Sequence, residues 1–187
     1  MGVAIDHLQG LYAETSDPWN FDHSPYEQEK FAATRAALSR DGYRAAFELG
    51  CGNGALATHL SDLCQRYTGM DAVATALRAA RARLPQARFV QGFYPGPLPE
   101  GDFDLLILSE VLYFLDAEGL RQLARDLTAR WSQAEVLCVT WLGPTGNPLG
   151  GAEALEIFTQ AMPAHQFRKI AQTEGYRIDR GLPRASA

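Results

Sequence analysis

The sequence predicts an α/β fold in which helices cover both faces of a mostly parallel β-sheet. Two observations lead to this fold class. From Arg44 onwards, short apolar runs of strand length alternate with longer segments that repeat apolar residues at helical spacing. At the C-terminus the alternation stops, because two short runs are separated only by Thr173-Glu174-Gly175. This spacing predicts a C-terminal antiparallel hairpin.

The N-terminal part of the chain is predicted to be mainly helical. A short helix is expected over Ile5–Glu14, and the aromatic, proline-bearing stretch Asp17–His23 is expected to be a loop. Ser24–Glu27 has the capping-box pattern, in which the serine caps the glutamate backbone N–H and the glutamate side chain bonds back to the serine. The helix that begins there is expected to run to about Arg40.

The core elements are assigned from their hydrophobic period and from the residues that end them. Pro85 ends one helix, and three prolines keep Gly92–Gly101 in a loop. Gln166–Thr173 also suits a helix, which is an alternative to the first strand of the hairpin. The predicted strands are Arg44–Leu49, Tyr67–Asp71, Ala87–Gln91, Phe103–Ser109, Glu135–Leu142, Phe167–Gln172 and Tyr176–Arg180, and the predicted helices are Gly54–Gln65, Val73–Leu84, Ala117–Trp131 and Glu153–Met162.

Length and charge limit the classes of protein to consider. A chain of 187 residues predicts one domain, residues 1–187, in which residues 1–42 form an N-terminal helical segment that acts as a lid or contacts the substrate. The net charge is −5, so the chain lacks the basic surplus that binding to a phosphate backbone requires. Nucleic acid is therefore not an expected partner.

Cysteine usage and hydropathy point to a soluble cytoplasmic protein. Cys51, Cys64 and Cys138 are odd in number and irregularly spaced, which predicts free thiols rather than disulfides or a metal site. Met1–Gly10 has no Lys or Arg ahead of an apolar stretch, so no secretory signal is expected. The most apolar run, Leu105–Leu115, is too short to span a bilayer.

The strongest functional signal is the glycine-rich segment Glu48–Gly54, which ends the first core strand and opens a helix. Glycines are needed where a loop turns sharply and where its backbone approaches a ligand without Cβ atoms in the way. A structural turn is the alternative. The glycines also satisfy a dinucleotide pattern, Gly50-x-Gly52-x-x-Ala55, so they do not by themselves exclude NAD.

Three further signals follow three other strands. Asp71 ends the second strand, where its carboxylate suits ribose hydroxyls, with helix capping as the rival explanation. Val90-Gln91-Gly92-Phe93 lies where the third strand ends and offers a place for an adenine ring. Ser109-Glu110 ends the fourth strand in polar residues, with a solvated rim residue as the alternative for Glu110. Because these strand ends meet at one edge of a parallel sheet, together they predict a nucleotide-type site.

The motifs resemble those of known enzymes. Glu48–Gly54, Asp71 and Gly101–Asp104 resemble the class I S-adenosylmethionine (SAM)-dependent methyltransferases over about Arg44–Leu142. About 45 residues precede the first core strand, which also favours SAM over a dinucleotide. Nearly the whole chain is similar to the nodulation protein S (NodS-like) family, through the motifs Asp17-Pro18-Trp19, Ser24-Pro25-Tyr26-Glu27, Leu108–Tyr113 and Tyr176–Asp179.

The resemblance implies a Rossmann-like, seven-stranded sheet ordered 3-2-1-4-5-7-6 with strand 7 antiparallel. It implies that SAM is the cofactor, that the glycine loop surrounds its methionine part, that Asp71 holds the ribose, and that Ser109–Val111 flank the methyl group. Phe93 is a departure, since family members often carry an acid there. The predicted cofactor-binding residues are Trp19, Glu48, Gly50, Cys51, Gly52, Gly54, Asp71, Ala72, Gln91, Gly92, Phe93, Ser109, Glu110 and Val111.

The same resemblance suggests the reaction. The family methylates the free amine of a deacetylated chitooligosaccharide, which implies N-methylation of an amino sugar or related small amine. An amine must be neutral to attack, so Glu110 is the first candidate for the base and His23, otherwise an exposed loop residue, is the second. Tyr26, Tyr113 and Trp141 are expected to line the acceptor pocket. An NAD(P)-dependent oxidoreductase and a non-catalytic SAM-binding module are the alternatives.

The aromatic residues of the N-terminal loop have two possible roles. Trp19, Phe21 and Tyr26 are expected to form a lid that covers the cofactor and faces its positive sulfonium. The alternative is simple packing of the N-terminal helix on the sheet, and the two roles are compatible.

Overall fold

The structure, a computed structural model, describes residues 5–185. Residues 1–4, which belong to the segment behind the prediction of no secretory signal, lie outside the described residues. The helices are α1 (Ile5–Glu14), α2 (Pro25–Ala36), α3 (Ala55–Leu60), α4 (Ala74–Arg83), α5 (Ala117–Trp131) and α6 (Gly151–Gln160). The strands are β1 (Tyr43–Leu49), β2 (Cys64–Asp71), β3 (Arg88–Gln91), β4 (Leu105–Ser109), β5 (Glu135–Trp141), β6 (His165–Gln172) and β7 (Tyr176–Pro183).

The seven strands form one sheet in the order β3-β2-β1-β4-β5-β7-β6. Strands β1 to β5 are parallel, whereas β7 is antiparallel to both β5 and β6. The predicted topology and the C-terminal hairpin are therefore confirmed, and the helical alternative for Gln166–Thr173 is wrong. The strand order reverses at β1, which has β2 on one side and β4 on the other, and ligands of open α/β sheets bind at such a point.

Successive side chains of β1 point to opposite faces of the sheet, and each face is covered by helices. Phe47 packs with Phe103 and with Trp131 of α5 on one face. Ala46 packs on the other face, in the cluster that contains Leu60 of α3 and Leu77 of α4. The sheet is thus buried on both sides, which leaves its strand ends as the places where polar groups can meet a ligand. No helix between residues 5 and 185 combines the length and apolarity that a membrane span requires.

Several predicted element ends are wrong because tertiary contacts decide them. The second helix stops at Ala36 rather than near Arg40, since the Ser39 N–H donates to Glu135 (3.0 Å) and the Arg40 guanidinium to the carbonyl of Asp104 (2.8 Å). Both bonds pull the chain towards the amino ends of the strands. Phe103 lies outside β4, because pairing with β1 and β5 begins only at Leu105.

The helix predicted over Gly54–Gln65 is also too long. It ends at Leu60, a short 3-10 turn follows, and β2 begins at Cys64 because this residue is already in register with Tyr43 of β1. The last helix begins earlier than predicted, at Gly151, and β7 runs on to Pro183.

Only one of the two hydrogen bonds of the predicted capping box forms at the start of α2. Ser24 Oγ accepts the backbone N–H of Glu27 at 3.4 Å, and Pro25 occupies the first turn, as predicted. The reciprocal bond is wrong, since the Glu27 side chain turns to Lys30 instead, while the Ser24 N–H donates to the carbonyl of Asn20.

Candidate cofactor and acceptor site

The glycine loop is a tight turn that only glycine fits at its key positions. Gly50 and Gly52 have φ values of 75° and 52°, a region that side chains disfavour. A Cβ on Gly50 would lie 2.8 Å from Val111 Cγ2, and one on Gly52 would lie 2.8 Å from the Tyr12 hydroxyl. The N–H groups of Gly50 and Cys51 both donate to the Met70 carbonyl of β2. The loop is therefore fixed to β2 and closely approached by the β4 rim and by α1.

Two loop residues predicted to bind the cofactor turn their side chains beneath the loop. Glu48 is 2% exposed and accepts the Tyr67 hydroxyl at 2.8 Å, and burial raises the pKa of this carboxyl to about 8. Cys51 is buried with Sγ against Gly69. The side chain of Glu48 thus supports the loop from below, and Cys51 offers its backbone rather than its thiol to the rim.

Asp71 joins the loop to α4. Its Oδ2 accepts the Gly52 N–H and its Oδ1 the Val73 N–H, both at 2.8 Å. Burial raises the pKa of Asp71 although these backbone hydrogen bonds oppose the rise. The rival capping role is partly observed, since Asp71 holds the backbone just before α4. Each carboxylate oxygen has a second lone-pair direction, so further donors can still bind.

The residues after β3 extend the same edge. The Gly92 N–H donates to the Asp71 carbonyl at 2.9 Å, and the Gln91 amide donates to the Ala72 carbonyl at 3.2 Å. Phe93 is 57% exposed beside them. The structure therefore brings the predicted ribose and adenine residues together along one stretch of the rim.

The β4 rim lies on the other side of the loop. Val111 contacts Gly50, and Glu110 has φ 53°, which is uncommon for a residue other than glycine. The Glu110 N–H donates to the Val139 carbonyl of β5 at 2.7 Å, so the strained turn is held by the sheet. Ser109, half-buried, ends the strand directly before this turn.

Lys30 of α2 is a site residue that the sequence reasoning missed. It is 3% exposed, and its Nζ lies 2.7 Å from Glu110 Oε1 and 2.8 Å from Glu27 Oε2. The Glu110 contact is a hydrogen bond, whereas the Glu27 contact lacks that geometry. Burial alone would lower the pKa of Lys30, but its carboxylate partners outweigh burial and leave the pKa raised. A signal was present, because Lys30 is one of only two lysines in a chain with 17 Lys and Arg residues.

The predicted acceptor residues lie around this charged group. Tyr26 stands edge-on to Trp141 and to Tyr176, and Lys30 Nζ is 5.3 Å from its ring centroid. Burial raises the pKa of Tyr113, and the nearby carboxylates of Glu110 and Glu27 raise it further. Tyr26, Tyr113 and Trp141 are thus brought together, and Tyr176 joins them from β7.

The N-terminal loop is fastened to the glycine loop by Asn53, another residue that sequence reasoning missed. Its buried amide donates to the carbonyl of Ser16 at 2.9 Å and approaches Asp17 Oδ1 at 3.4 Å. Trp19 follows, 43% exposed, with its ring 5.5 Å from that of Tyr12. The loop therefore lies against the glycine loop, and its Asp22 pairs with Arg83 at the end of α4.

The three aromatic residues of the predicted lid separate into two groups. Trp19 packs against Phe21, which packs in turn against Phe31 of α2, whereas Tyr26 belongs to the acceptor group. His23 is exposed, and within residues 5–185 no contact joins it to Glu110. Of the two candidate bases, only Glu110 is placed next to the other predicted site residues.

A cleft elsewhere on the molecule and the positions of the potential metal ligands add nothing to this site. An open cleft at the opposite, amino-terminal end of the strands is lined by charged residues such as Arg40, Arg44 and Asp104, none of which was predicted to bind a ligand. Within the part of the chain that the structure describes, no group of three or more His, Cys, Asp or Glu residues is arranged to hold a metal ion.

The sheet order and the glycine loop at its switch point define the class I SAM-dependent methyltransferase fold. Two solved structures share it. A methyltransferase from Pseudomonas syringae is 34% identical with a TM-score of 0.72, over 84% of this chain and 98% of that one. The N-methyltransferase NodS from Bradyrhizobium japonicum WM9, in complex with S-adenosyl-L-homocysteine (SAH), is 23% identical with a TM-score of 0.80. The match covers 95% of this chain and 97% of that one.

Sequence comparison gives the family. Residues 6–171 match the family model of nodulation protein S. Nodulation protein S of Bradyrhizobium diazoefficiens is 29% identical over 164 residues, which are 78% of this chain and 75% of that protein. The chain belongs to the nodulation protein S (NodS) family. This confirms the predicted family and the predicted class of enzyme, a methyltransferase that uses SAM.

Proposed function

We propose that this protein transfers a methyl group from SAM to the nitrogen of a small amine, with an amino sugar as the expected acceptor. The observation that carries the proposal is the position of Glu110: the next residue, Val111, contacts the glycine loop, and its carboxylate bonds Lys30 close to Tyr26 and Tyr113. A relative with the same fold, from B. japonicum WM9, is an N-methyltransferase whose crystal structure holds SAH. Both observations support transfer to nitrogen.

The residues at the carboxyl ends of β1 to β4 fit SAM. Gly50 and Gly52 give the loop its tight turn and let Val111 and the Tyr12 hydroxyl pack against it, where a Cβ would collide with them. Asp71 keeps lone-pair directions for two ribose hydroxyls beyond its two backbone bonds. Phe93 offers an exposed ring on which adenine stacks in place of an acidic partner. Bound there, SAM supplies an activated methyl group for in-line displacement.

The charges of the group around Lys30 suit an amine as the acceptor. Glu27 and Glu110 carry two negative charges and Lys30 one positive charge, so the group has a net charge of −1 and attracts an ammonium ion. Glu110 then accepts a proton from the ammonium and leaves a neutral amine able to attack. Tyr26 and Trp141 present rings against which a sugar or an aliphatic skeleton packs.

In the proposed mechanism the N-terminal segment, which the structure describes from residue 5 to residue 42, covers this site. The Asn53 bonds hold the N-terminal loop over the glycine loop, and α2 delivers Lys30 and Tyr26 to the acceptor side. Covering the site excludes water, which strengthens the electrostatic interactions within it. The oxidoreductase alternative has no support in the family to which the chain belongs.

Calorimetry with SAH tests the cofactor site. We expect Asp71→Ala to weaken SAH binding by at least about 100-fold, because it loses two hydrogen bonds to a charged group, each of which contributes about 1.5–3 kcal/mol. Asp102→Ala is the matched control, since this carboxylate is exposed and pairs with Arg44 at the opposite end of the sheet. Equal SAH affinity in wild type and Asp71→Ala would contradict the ribose assignment. Tight SAH binding without methyl transfer to any of a broad panel of amines would favour a non-catalytic SAM-binding module.

A further inference from the structure

Lys30 has no role in the proton transfer proposed above, yet it is the most deeply buried ion-pairing cation at the site. A lysine at 3% exposure is rare unless it is paired, and this one is paired to the proposed base. The other lysine of the chain, Lys169, is exposed on β6 and bonds Gln172. The effect of Lys30 on Glu110 is therefore distinct from the proposed effect of Glu110 on the acceptor.

The two oxygens of Glu110 are in different environments. Oε1 accepts the Lys30 hydrogen bond at 2.7 Å. Oε2 has no protein partner among residues 5–185, and it is not among the buried polar atoms that lack one. The side chain as a whole is 25% exposed. One oxygen is thus held and the other is free for a proton donor.

The backbone of Glu110 is fixed as well. Its φ of 53° is an uncommon conformation, and such strain persists only where the surroundings impose it. The N–H bond to Val139 anchors the turn from the sheet side, while Lys30 anchors the carboxylate from α2. The side chain is therefore restrained at both ends.

We propose that Lys30 is a positioning residue: it holds Glu110 Oε1, so that Oε2 faces the acceptor nitrogen. This inference rests on the proposed function. An ammonium group suits the task because it makes a single-point contact, whereas an Arg guanidinium tends to bind both carboxylate oxygens. That difference accounts for a lysine at this position in a chain whose other cations are nearly all arginine.

Other titratable groups also face the pair. Glu27 lies beside Lys30 on α2, Tyr26 lies one turn before it, and Tyr113 approaches from the β4 rim. Asp17 acts on Glu27 from the N-terminal loop. Since none of these is a second cation, Lys30 is the only positive partner of Glu110 among residues 5–185.

Lys30→Met tests the inference, with Lys169→Met as the matched control. The probes are SAH for binding and a chitooligosaccharide with one free amine for turnover. We expect Lys30→Met to keep SAH affinity within about twofold and to lower kcat by about 10- to 100-fold, the effect of misplacing a catalytic group by about 1 Å. The KM for the acceptor should change much less than kcat, because Lys30 acts on the position of the base and not on the acceptor contacts. Lys169→Met should match wild type.

Loss of Lys30 leaves two carboxylates facing each other, which can unfold the protein. The double variant Glu27→Gln/Lys30→Met removes that repulsion and should show the same lower kcat with a similar acceptor KM. An unchanged kcat in either folded variant, or a loss confined to KM, would overturn the positioning role. No turnover by wild type on this probe or on other amines would instead contradict the proposed function itself, and the inference would fall with it.

Discussion

Single residues at the carboxyl rim of the sheet carry titratable groups whose partners lie far away in the sequence. Glu110 bonds Lys30 across 80 positions, and Glu48 bonds Tyr67 across 19. In both pairs packing controls the protonation state: burial keeps a proton on Glu48 up to about pH 8, while carboxylates keep one on Lys30. The chemistry of the rim therefore depends on contacts that join separate elements.

Glu48 gives a prediction about stability. Its pKa rises from 4.5 in the unfolded chain to about 8 in the folded protein, so the folded state binds one more proton between these values. The contribution of Glu48 to the free energy of unfolding should therefore fall as pH rises from about 4.5 to about 8. Glu48→Gln keeps the Tyr67 bond and should lose this dependence, measured as denaturant unfolding across pH. An identical pH dependence in wild type and variant would contradict the protonated state.

The rim residues differ in how far sequence alone could place them. Asp71 and Glu110 were predictable because each follows its own strand, and parallel strands end at one edge. Lys30 was not, because its role depends on which face of α2 meets the β4 rim. The orientation of Glu48 was not predictable either, since pointing beneath the loop or onto it depends on Tyr67.

At the scale of elements, the N-terminal segment and the glycine loop act as one unit. Asn53 links them, since its amide donates to Ser16 and approaches Asp17 while its oxygen accepts the Ala55 N–H at the start of α3. Asp17 in turn accepts the N–H of Phe21. The position of the proposed cover is therefore coupled to the loop that is proposed to hold the cofactor.

Asn53→Ala should uncouple the two elements. We expect faster proteolysis near residues 10–24 and SAH affinity lower by about tenfold, because buried backbone groups lose their partner. Gln160→Ala, on the exposed surface of α6, is the control and should leave both unchanged. Limited proteolysis with mass-spectrometric mapping, together with calorimetry, measures the two effects. Wild-type cleavage and affinity in Asn53→Ala would show that the elements are not coupled.

The helices and strands were predicted correctly in type, but several of their ends were predicted wrongly. Hydrophobic period identifies a helix or strand, but the end of α2 depends on Ser39 bonding Glu135 nearly a hundred positions away. The start of β2 likewise depends on its register with Tyr43. Such ends are set by tertiary contacts that a local pattern does not contain.

At the scale of the whole molecule, the alternation of strands and helices determines where the chemistry takes place. Five parallel strands bring four separate motifs to one edge, and the antiparallel β7 places Tyr176 beside Tyr26 on the acceptor side. Family membership and fold agree on a SAM-dependent methyltransferase. In the proposed function, the charged and aromatic group around Lys30 selects the acceptor.

Methyl transfer with a labelled cofactor tests the central claim most directly. Wild type and Glu110→Gln are incubated with SAM that carries a deuterated methyl group and with a chitooligosaccharide that has one free amine, and the product is located by mass spectrometry and NMR. The account predicts a single labelled methyl group on nitrogen, with turnover lower by about 10²- to 10⁴-fold in Glu110→Gln, the range for loss of a general base. Label on oxygen, or wild-type turnover by Glu110→Gln at neutral pH, would contradict it.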